Sequence, residues 1–366
     1  MLGSIVTLIL LVCFSGALSN GDYGKLDGVW RLQFGLALVP CAICLYFRLT
    51  MPESRKFQQS GELNAIADGS VNSSATTLNL PETGYSGATE KEAAQVALEQ
   101  KLADEAKKPK WTAFINYFSE WRHAKVLIGT ASTWFLVDVA FYGINLNQSV
   151  LLAAIGFSKG RNEYHTLLIN TYGNLIIAAA GYVPGYFFTI AFIEIIGRKP
   201  IQIGGFLITS LMFGIIAGDY AHLGTGGKFA CFTLAQFFFN FGPNATTFIV
   251  PGEAFPSRVR GLAHGMSAAV GKLGAILSGL LFNYLSAANH LGVANVLWIF
   301  FGCGILGAIM TFLFVPETKG VDADAIDYDE QMAKIGGGGY YTPGGDATRD
   351  YASNSGGKED YASSSV

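Results

Sequence analysis

Eight long apolar stretches follow one another along the chain, with short polar connections between most of them. They lie near residues 2–19, 29–50, 125–146, 167–193, 201–218, 229–250, 259–286 and 291–315. A helix needs roughly 20 mostly apolar residues to cross a bilayer, so each stretch predicts a membrane-spanning helix. The first stretch is not preceded by any Lys or Arg, and a second full span follows it, which favours a membrane helix over a signal peptide.

The composition supports a membrane protein. The chain of 366 residues is 51% hydrophobic and 14% charged, whereas soluble domains carry about 25% charged residues. Many of the 45 glycines fall inside the apolar stretches, where small residues let membrane helices approach closely. The sequence therefore predicts an all-α membrane protein rather than a large soluble helical one.

Positive charge predicts the orientation and the division of the chain. Lys and Arg are most frequent in the segment between the second and third stretches and after the fourth and sixth stretches, so these segments should be cytoplasmic. We expect two helices in residues 1–52, a cytoplasmic central loop in 53–124, a six-helix bundle in 125–319 and a disordered cytoplasmic tail in 320–366. Charged helix-forming residues at 89–108 predict a short surface helix inside the central loop.

The third stretch, which contains "TWFLVDVAFYG", carries one acid, Asp138. It lies about 20 Å along the helix from Lys125, at about 1.5 Å per residue, and so close to the bilayer midplane. A charge at this depth costs about 2.5–3.5 kcal/mol and usually faces the bundle interior. Trp134 and Tyr142 lie one turn away on either side, on the same helix face. This polar face predicts a binding site, with an acid satisfied for purely structural reasons as the alternative.

Two further stretches carry polar residues at depth. Asn240 and Asn244 flank Pro243 and share a face, and the proline leaves a backbone carbonyl without its helical partner. Lys272 follows Arg260 by about 18 Å of helix, a depth comparable to that of the acid. The alternative is an isolated lysine that extends to the interface, but the depth of Lys272 makes that strained. A paired intramembrane acid and base fits an ion pathway or proton relay better.

Charged motifs end several spans on the predicted cytoplasmic side. "MPESRKF" at Met51–Phe57 and "VPETKG" at Val315–Gly320 are related and indicate an internal duplication. "EIIGRKP" at Glu194–Pro200 and "PGEAFPSRVRG" at Pro251–Gly261 end the fourth and sixth stretches. Opposite charges here could latch one state of an alternating-access bundle, whereas exposed pairs would contribute at most ~1 kcal/mol each. The predicted cytoplasmic gate comprises Glu194, Arg198, Glu253, Arg258 and Arg260.

With these motifs in this order, the chain resembles the major facilitator superfamily, and within it the fungal proton-coupled inorganic phosphate transporters. The resemblance covers most of residues 1–320 except the central loop. It implies twelve helices in two six-helix bundles, of which this chain is similar to helices five to twelve. The expected fold is thus that of the superfamily, N-terminally incomplete, with about eight of twelve transmembrane helices.

The resemblance also implies site residues. The family pattern W-x3-D-x3-Y on helix seven contacts the anion and corresponds to Trp134, Asp138 and Tyr142. The asparagine of helix ten corresponds to Asn244, and a helix-eleven lysine, implicated in substrate or proton handling, corresponds to Lys272. Sugar porters of the superfamily carry paired glutamines on helix seven that this chain lacks, which favours phosphate as the substrate.

The expected function is therefore symport of inorganic phosphate and protons across a membrane, expected to be the plasma membrane, with Asp138 and Lys272 coupling the proton. We expect no enzymatic activity, metal, cofactor or nucleic-acid partner. The alternatives are a proton symporter of organic phosphates or polyols, and a truncated membrane protein without transport. Because one wall of the cavity would be largely missing, we expect no proton-driven accumulation by this chain alone.

Overall fold

The computed structural model describes residues 1–51, 110–154, 156, 160–287, 289–327 and 330. The chain divides into one unit of Met1–Ser60 and Trp111–Lys319 and a second of Gly61–Lys110 and Gly320–Val366. In the second unit, residues 323–327 are helical, although the whole tail was expected to be disordered. The predicted surface helix at 89–108 and most of the tail lie outside the described residues.

The described part of the first unit is built from helices. In chain order they are α1 Leu2–Cys13, α2 Ser15–Ser19, α3 Lys25–Thr50, α4 Lys110–Phe118, α5 Trp121–Asn145, α6 Gln148–Ala154, α7 Glu163–Ile177, α8 Val183–Ile196, α9 Arg198–Gly218, α10 Thr225–Asn240, α11 Pro243–Glu253, α12 Ser257–Ser286 and α13 Gly292–Phe314. A π-helical segment, Ala178–Tyr182, joins α7 to α8, so the two form one continuous span.

All eight predicted stretches are helical, but two are interrupted. Among the described residues, six spans are long and apolar enough to cross a membrane: α3, α5, α7 with α8, α9, α12 and α13. The first stretch is instead divided into α1 and α2, and the sixth into α10 and α11. The last part of the predicted central loop, 53–124, is also helical. It contains α4, and α5 begins before the loop was expected to end, at Trp121.

The interruption between α10 and α11 has a steric and a hydrogen-bonding cause. Pro243 begins α11 and has no backbone N–H to continue the ladder of α10. Gly242 packs against Gly205 of α9, and a Cβ on Gly242 would lie 2.7 Å from the Gly205 Cα atom. Only a residue without a side chain fits at this contact, which therefore fixes the position of the helix break.

The main hydrophobic core lies among α5, α9, α10, α12 and α13, where α5 packs against α12 and α13 and α9 packs against α10 and α13. Fully buried phenylalanines, including Phe206, Phe213 and Phe239, fill this core. The N-terminal helices are packed less closely: α1 contacts α3 and α7, whereas none of the most apolar part of α3 is buried.

Candidate functional site

Asp138 lies on the buried face of α5 and forms an ion pair with Lys272 of α12. The lysine Nζ donates to Asp138 Oδ2 at 3.1 Å and to the Tyr142 hydroxyl at 2.9 Å. The Asp138 side chain is 3% exposed, whereas that of Lys272 is 54% exposed. The buried carboxylate is thus compensated by an ammonium group that remains accessible from one side, as the predicted acid–base pair requires.

Two glycines on α12 make this pairing possible, because they let α12 approach α5 closely. A Cβ at Gly271 would lie 2.8 Å from Cγ of the Trp134 indole, and one at Gly274 would lie 2.5 Å from the carbonyl oxygen of Phe135. Close approach through small residues is the usual way in which membrane helices gain packing energy. The same contact fixes the indole and brings Lys272 within reach of Asp138.

A second wall of the site is formed by Asn244, in the first turn of α11, next to the helix break. Its Nδ2 donates to Asn240 Oδ1 at 2.8 Å and to the Tyr186 hydroxyl at 2.7 Å. Thr189 Oγ1 donates to the carbonyl oxygen of Asn240 at 2.8 Å. The backbone polar group exposed at the break therefore has a partner, as buried carbonyls require in a membrane.

A cavity of about 410 Å³ lies between these walls, within the range of small-molecule sites. Its lining combines an ion pair and several hydroxyl and amide groups with apolar side chains. The lining residues are Trp134, Asp138, Tyr142, Tyr186, Thr189, Ile190, Asn244, Ala245, Phe248, Ile249 and Lys272. All five predicted binding residues are among them.

Sequence reasoning missed two polar residues of this lining, Tyr186 and Thr189 of α8. They lie three residues apart on one helix face, and this spacing was the available signal. It was obscured because the segment "YFFT" reads as an ordinary apolar, aromatic part of a span.

The predicted gate residues are partly brought together at the other end of the bundle. The buried guanidinium of Arg198 donates to Glu194 at 2.6 Å and to Glu253 at 2.9 Å. Glu317, which the prediction omitted, accepts the backbone N–H groups of Arg198 and Lys199 at 2.9 and 3.0 Å. Thus three charged motifs meet around Arg198. They are the motifs that follow the fourth and the sixth predicted stretches and the motif that ends the last stretch.

The remaining predicted gate residues belong to α12. Arg258 lies over the ring of Tyr117, 5.1 Å from its centroid. Arg260 Nε donates to the carbonyl oxygen of Phe255 at 2.7 Å. Arg258 thus contacts α4 and Arg260 contacts the turn that precedes α12. Their role in a gate remains a prediction.

Comparison with known proteins adds the family context. A family model described as sugar (and other) transporter matches residues 1–329. A Schizosaccharomyces pombe protein named as a candidate inorganic phosphate transporter is 52% identical over 344 residues, which cover 89% of this chain and 59% of that protein. The inorganic phosphate transporter PHO84 of Saccharomyces cerevisiae is 39% identical over 336 residues, or 87% of this chain and 57% of PHO84.

The fold is similar to that of the proton:xylose symporter XylE, a major facilitator superfamily protein, with a TM-score of 0.61 and 19% identity. The match covers 89% of this chain and 66% of XylE. At this identity the likeness concerns the fold alone. The chain spans about three fifths of the length of the curated phosphate transporters that it matches.

Proposed function

The chain belongs to the sugar (and other) transporter family of the major facilitator superfamily, and from that premise we propose that its cavity is the substrate site of a transporter that moves inorganic phosphate together with protons. The names of its relatives support phosphate as the substrate. The observation that carries the proposal is the ion pair of Asp138 and Lys272 beside Tyr142, inside a membrane-spanning bundle.

The pair provides a simple coupling mechanism. A bound phosphate and the Asp138 carboxylate compete for the single ammonium of Lys272, and two anions on one cation repel each other. Protonation of Asp138 removes that repulsion and releases the ammonium to the phosphate, so the anion and a proton bind together. Loss of the proton restores the ion pair and favours release of the phosphate.

The charged cluster around Arg198 supports a gate in the same scheme. Its hydrogen bonds join the end of α8, the start of α9 and the end of α11. Breaking them would free these helix ends to move, as alternating access requires. We place this cluster on the cytoplasmic side of the plasma membrane, with 125–319 as the moving bundle and 53–124 as its cytoplasmic connection.

Proton-linked binding tests the proposal. Phosphate is titrated calorimetrically into the purified chain in lipid nanodiscs, at a pH where it is already the monoanion, in buffers of different ionisation enthalpy. We expect about one proton taken up for each phosphate bound. Asp138→Asn, which keeps the size of the side chain but cannot titrate, should bind phosphate without proton uptake. Lys228→Ala, which is outside the cavity lining, should behave as the wild type.

Two results would contradict the proposal: no phosphate binding by the wild-type chain, or binding without proton uptake. Competition with glycerophosphate and with inositol separates the alternative substrates. If either displaces phosphate at equal concentration, the site belongs to an organic-phosphate or polyol transporter.

A further inference from the structure

The side-chain amide of Asn244 has only one group left for a ligand, its carbonyl oxygen. An amide NH2 has two hydrogens, and here one is donated to Asn240 and the other to Tyr186. Among the described residues, Oδ1 of Asn244 makes no hydrogen bond, and the residue lines the cavity. The wall therefore presents a hydrogen-bond acceptor where an anion site would be expected to present a donor.

This orientation is set from outside the cavity. Asn240 Nδ2 donates at 2.7 Å to the backbone carbonyl of Gln236, a group that can only accept. The Oδ1 atom of Asn240 must then face Asn244, and it requires the NH2 of Asn244 in return. Since Asn240 is 1% exposed and Gln236 is fully buried, water cannot substitute for either partner. The backbone of α10 thus fixes which end of the Asn244 amide faces the cavity.

Tyr186 has the complementary property. Its hydroxyl oxygen accepts from Asn244, and within the described part of the chain its own hydrogen has no acceptor. A hydroxyl that accepts one bond still has a hydrogen to donate. The same wall therefore offers one acceptor, Asn244 Oδ1, and one donor, the Tyr186 O–H, to the cavity that Lys272 also lines.

From this arrangement we infer that Asn244, oriented by Asn240, forms a filter for an O–H group on the anion, with Tyr186 as a further ligand contact, so that the site binds protonated phosphate and rejects oxyanions without an O–H group, such as sulfate. The inference rests on the proposed phosphate site. A P–O–H group donates to Asn244 Oδ1, and an unprotonated phosphate oxygen accepts from Tyr186. Sulfate has no hydrogen for Oδ1 and places a charged oxygen against it.

The size of the effect follows from the unmet hydrogen bond. An acceptor left unsatisfied in a desolvated site lowers affinity by roughly 10- to 100-fold. Asn240 and Tyr186 differ in their roles: Tyr186 contacts the ligand, whereas Asn240 acts only by orienting Asn244 and is a positioning residue.

The test measures binding of radiolabelled phosphate to the purified full chain in nanodiscs, at an acid pH where phosphate is the monoanion. Unlabelled phosphate, sulfate and dimethylphosphinate compete; the last is a tetrahedral monoanion without an O–H group, so it separates the effect of charge from that of the missing hydrogen. The wild type should prefer phosphate over both competitors by about 100-fold.

The variants separate the roles of the three residues. Asn244→Ser replaces the fixed acceptor by a rotatable hydroxyl and should reduce both preferences by about tenfold. Asn240→Ala should also reduce both preferences by about tenfold, although Asn240 does not contact the ligand, because the side-chain amide of Asn244 can then rotate. Tyr186→Phe should weaken phosphate binding by about tenfold and leave the preference largely intact. Tyr172→Phe, on the same span but outside the cavity lining, should change neither.

The outcomes distinguish this inference from the proposed function. If phosphate binds but sulfate and dimethylphosphinate compete within a few-fold, the filter is refuted while the phosphate site stands. If the preference persists in both Asn244→Ser and Asn240→Ala, the amide orientation does not cause it and the inference is overturned. If no phosphate binds to the wild type, both proposals fail.

Discussion

The ion pair between Asp138 and Lys272 should stabilise the folded bundle by an amount that a double-mutant cycle can measure. Lys272→Met removes the ammonium at similar length, and Asp138→Asn removes the carboxylate charge at constant size. At the observed 3.1 Å separation, the Coulomb energy is about 5 kcal/mol at an effective dielectric constant of about 20, and about 1 kcal/mol in water. Because the carboxylate is buried and the ammonium half exposed, we expect a coupling energy of about 2 kcal/mol.

The single variants should differ in their effect. Lys272→Met leaves a buried carboxylate without its ammonium and should cost about 3 kcal/mol, at the lower end of the range for breaking a buried pair. Asp138→Asn leaves an ammonium that water can reach and should cost about 1 kcal/mol. In the double variant neither charge remains, so its loss of stability should be smaller than that of Lys272→Met plus that of Asp138→Asn.

Equilibrium unfolding in mixed micelles, with an increasing fraction of a denaturing detergent and tryptophan fluorescence as the signal, gives the four free energies of unfolding. Tyr142→Phe is the control: it removes one acceptor of Lys272 without altering the charge and should cost about 1 kcal/mol. If the two single effects add to within about 0.5 kcal/mol, the groups do not interact in the folded state, and the coupling mechanism built on their pairing is refuted.

Three further predictions follow from the packing and the charges. Gly271→Ala places a Cβ against the Trp134 indole and should weaken phosphate binding about tenfold by displacing the ring, whereas Gly265→Ala on the same helix, with open space around it, should bind normally; equal affinities would contradict the packing argument. Arg198→Lys keeps the charge but loses the fork that joins two carboxylates, so cysteines introduced near that cluster should react faster with a polar thiol reagent, and unchanged rates would exclude a latch. Asp138→Asn should abolish the pH dependence of phosphate affinity that remains after correction for the titration of phosphate itself, and a retained dependence would assign the coupling proton to another group.

The sequence alone predicted much of the architecture, because a bilayer imposes a strong constraint on composition. Apolar stretches of the required length can only satisfy their backbone groups as helices, and all eight stretches are helical in the structure. The five predicted binding residues also line one cavity. Their common location could be predicted because each is a polar or charged exception in an apolar environment, where such residues are costly and face the interior of the bundle. Their role in binding stays a prediction.

The tertiary structure decided the features that depend on which helices touch. Pro243 in the sequence indicated a break between α10 and α11, but the position of the break depends on the contact of Gly242 with Gly205 of another helix. Glu317 joins the Arg198 cluster only because the end of α13 lies beside the start of α9. Neither contact leaves a periodic signal in the chain.

The chemistry of the cavity wall shows the same division. The sequence identified Asn244 as a binding residue, but not which end of its amide faces the cavity. That choice depends on two partners. One is the backbone carbonyl of Gln236 on α10, which orients Asn240, and the other is Tyr186 of a different span. Polarity and depth are properties of a residue and its neighbours along the chain, so a sequence reveals them. The direction of a hydrogen bond is a property of the partners that folding brings together, and only the tertiary structure determines it.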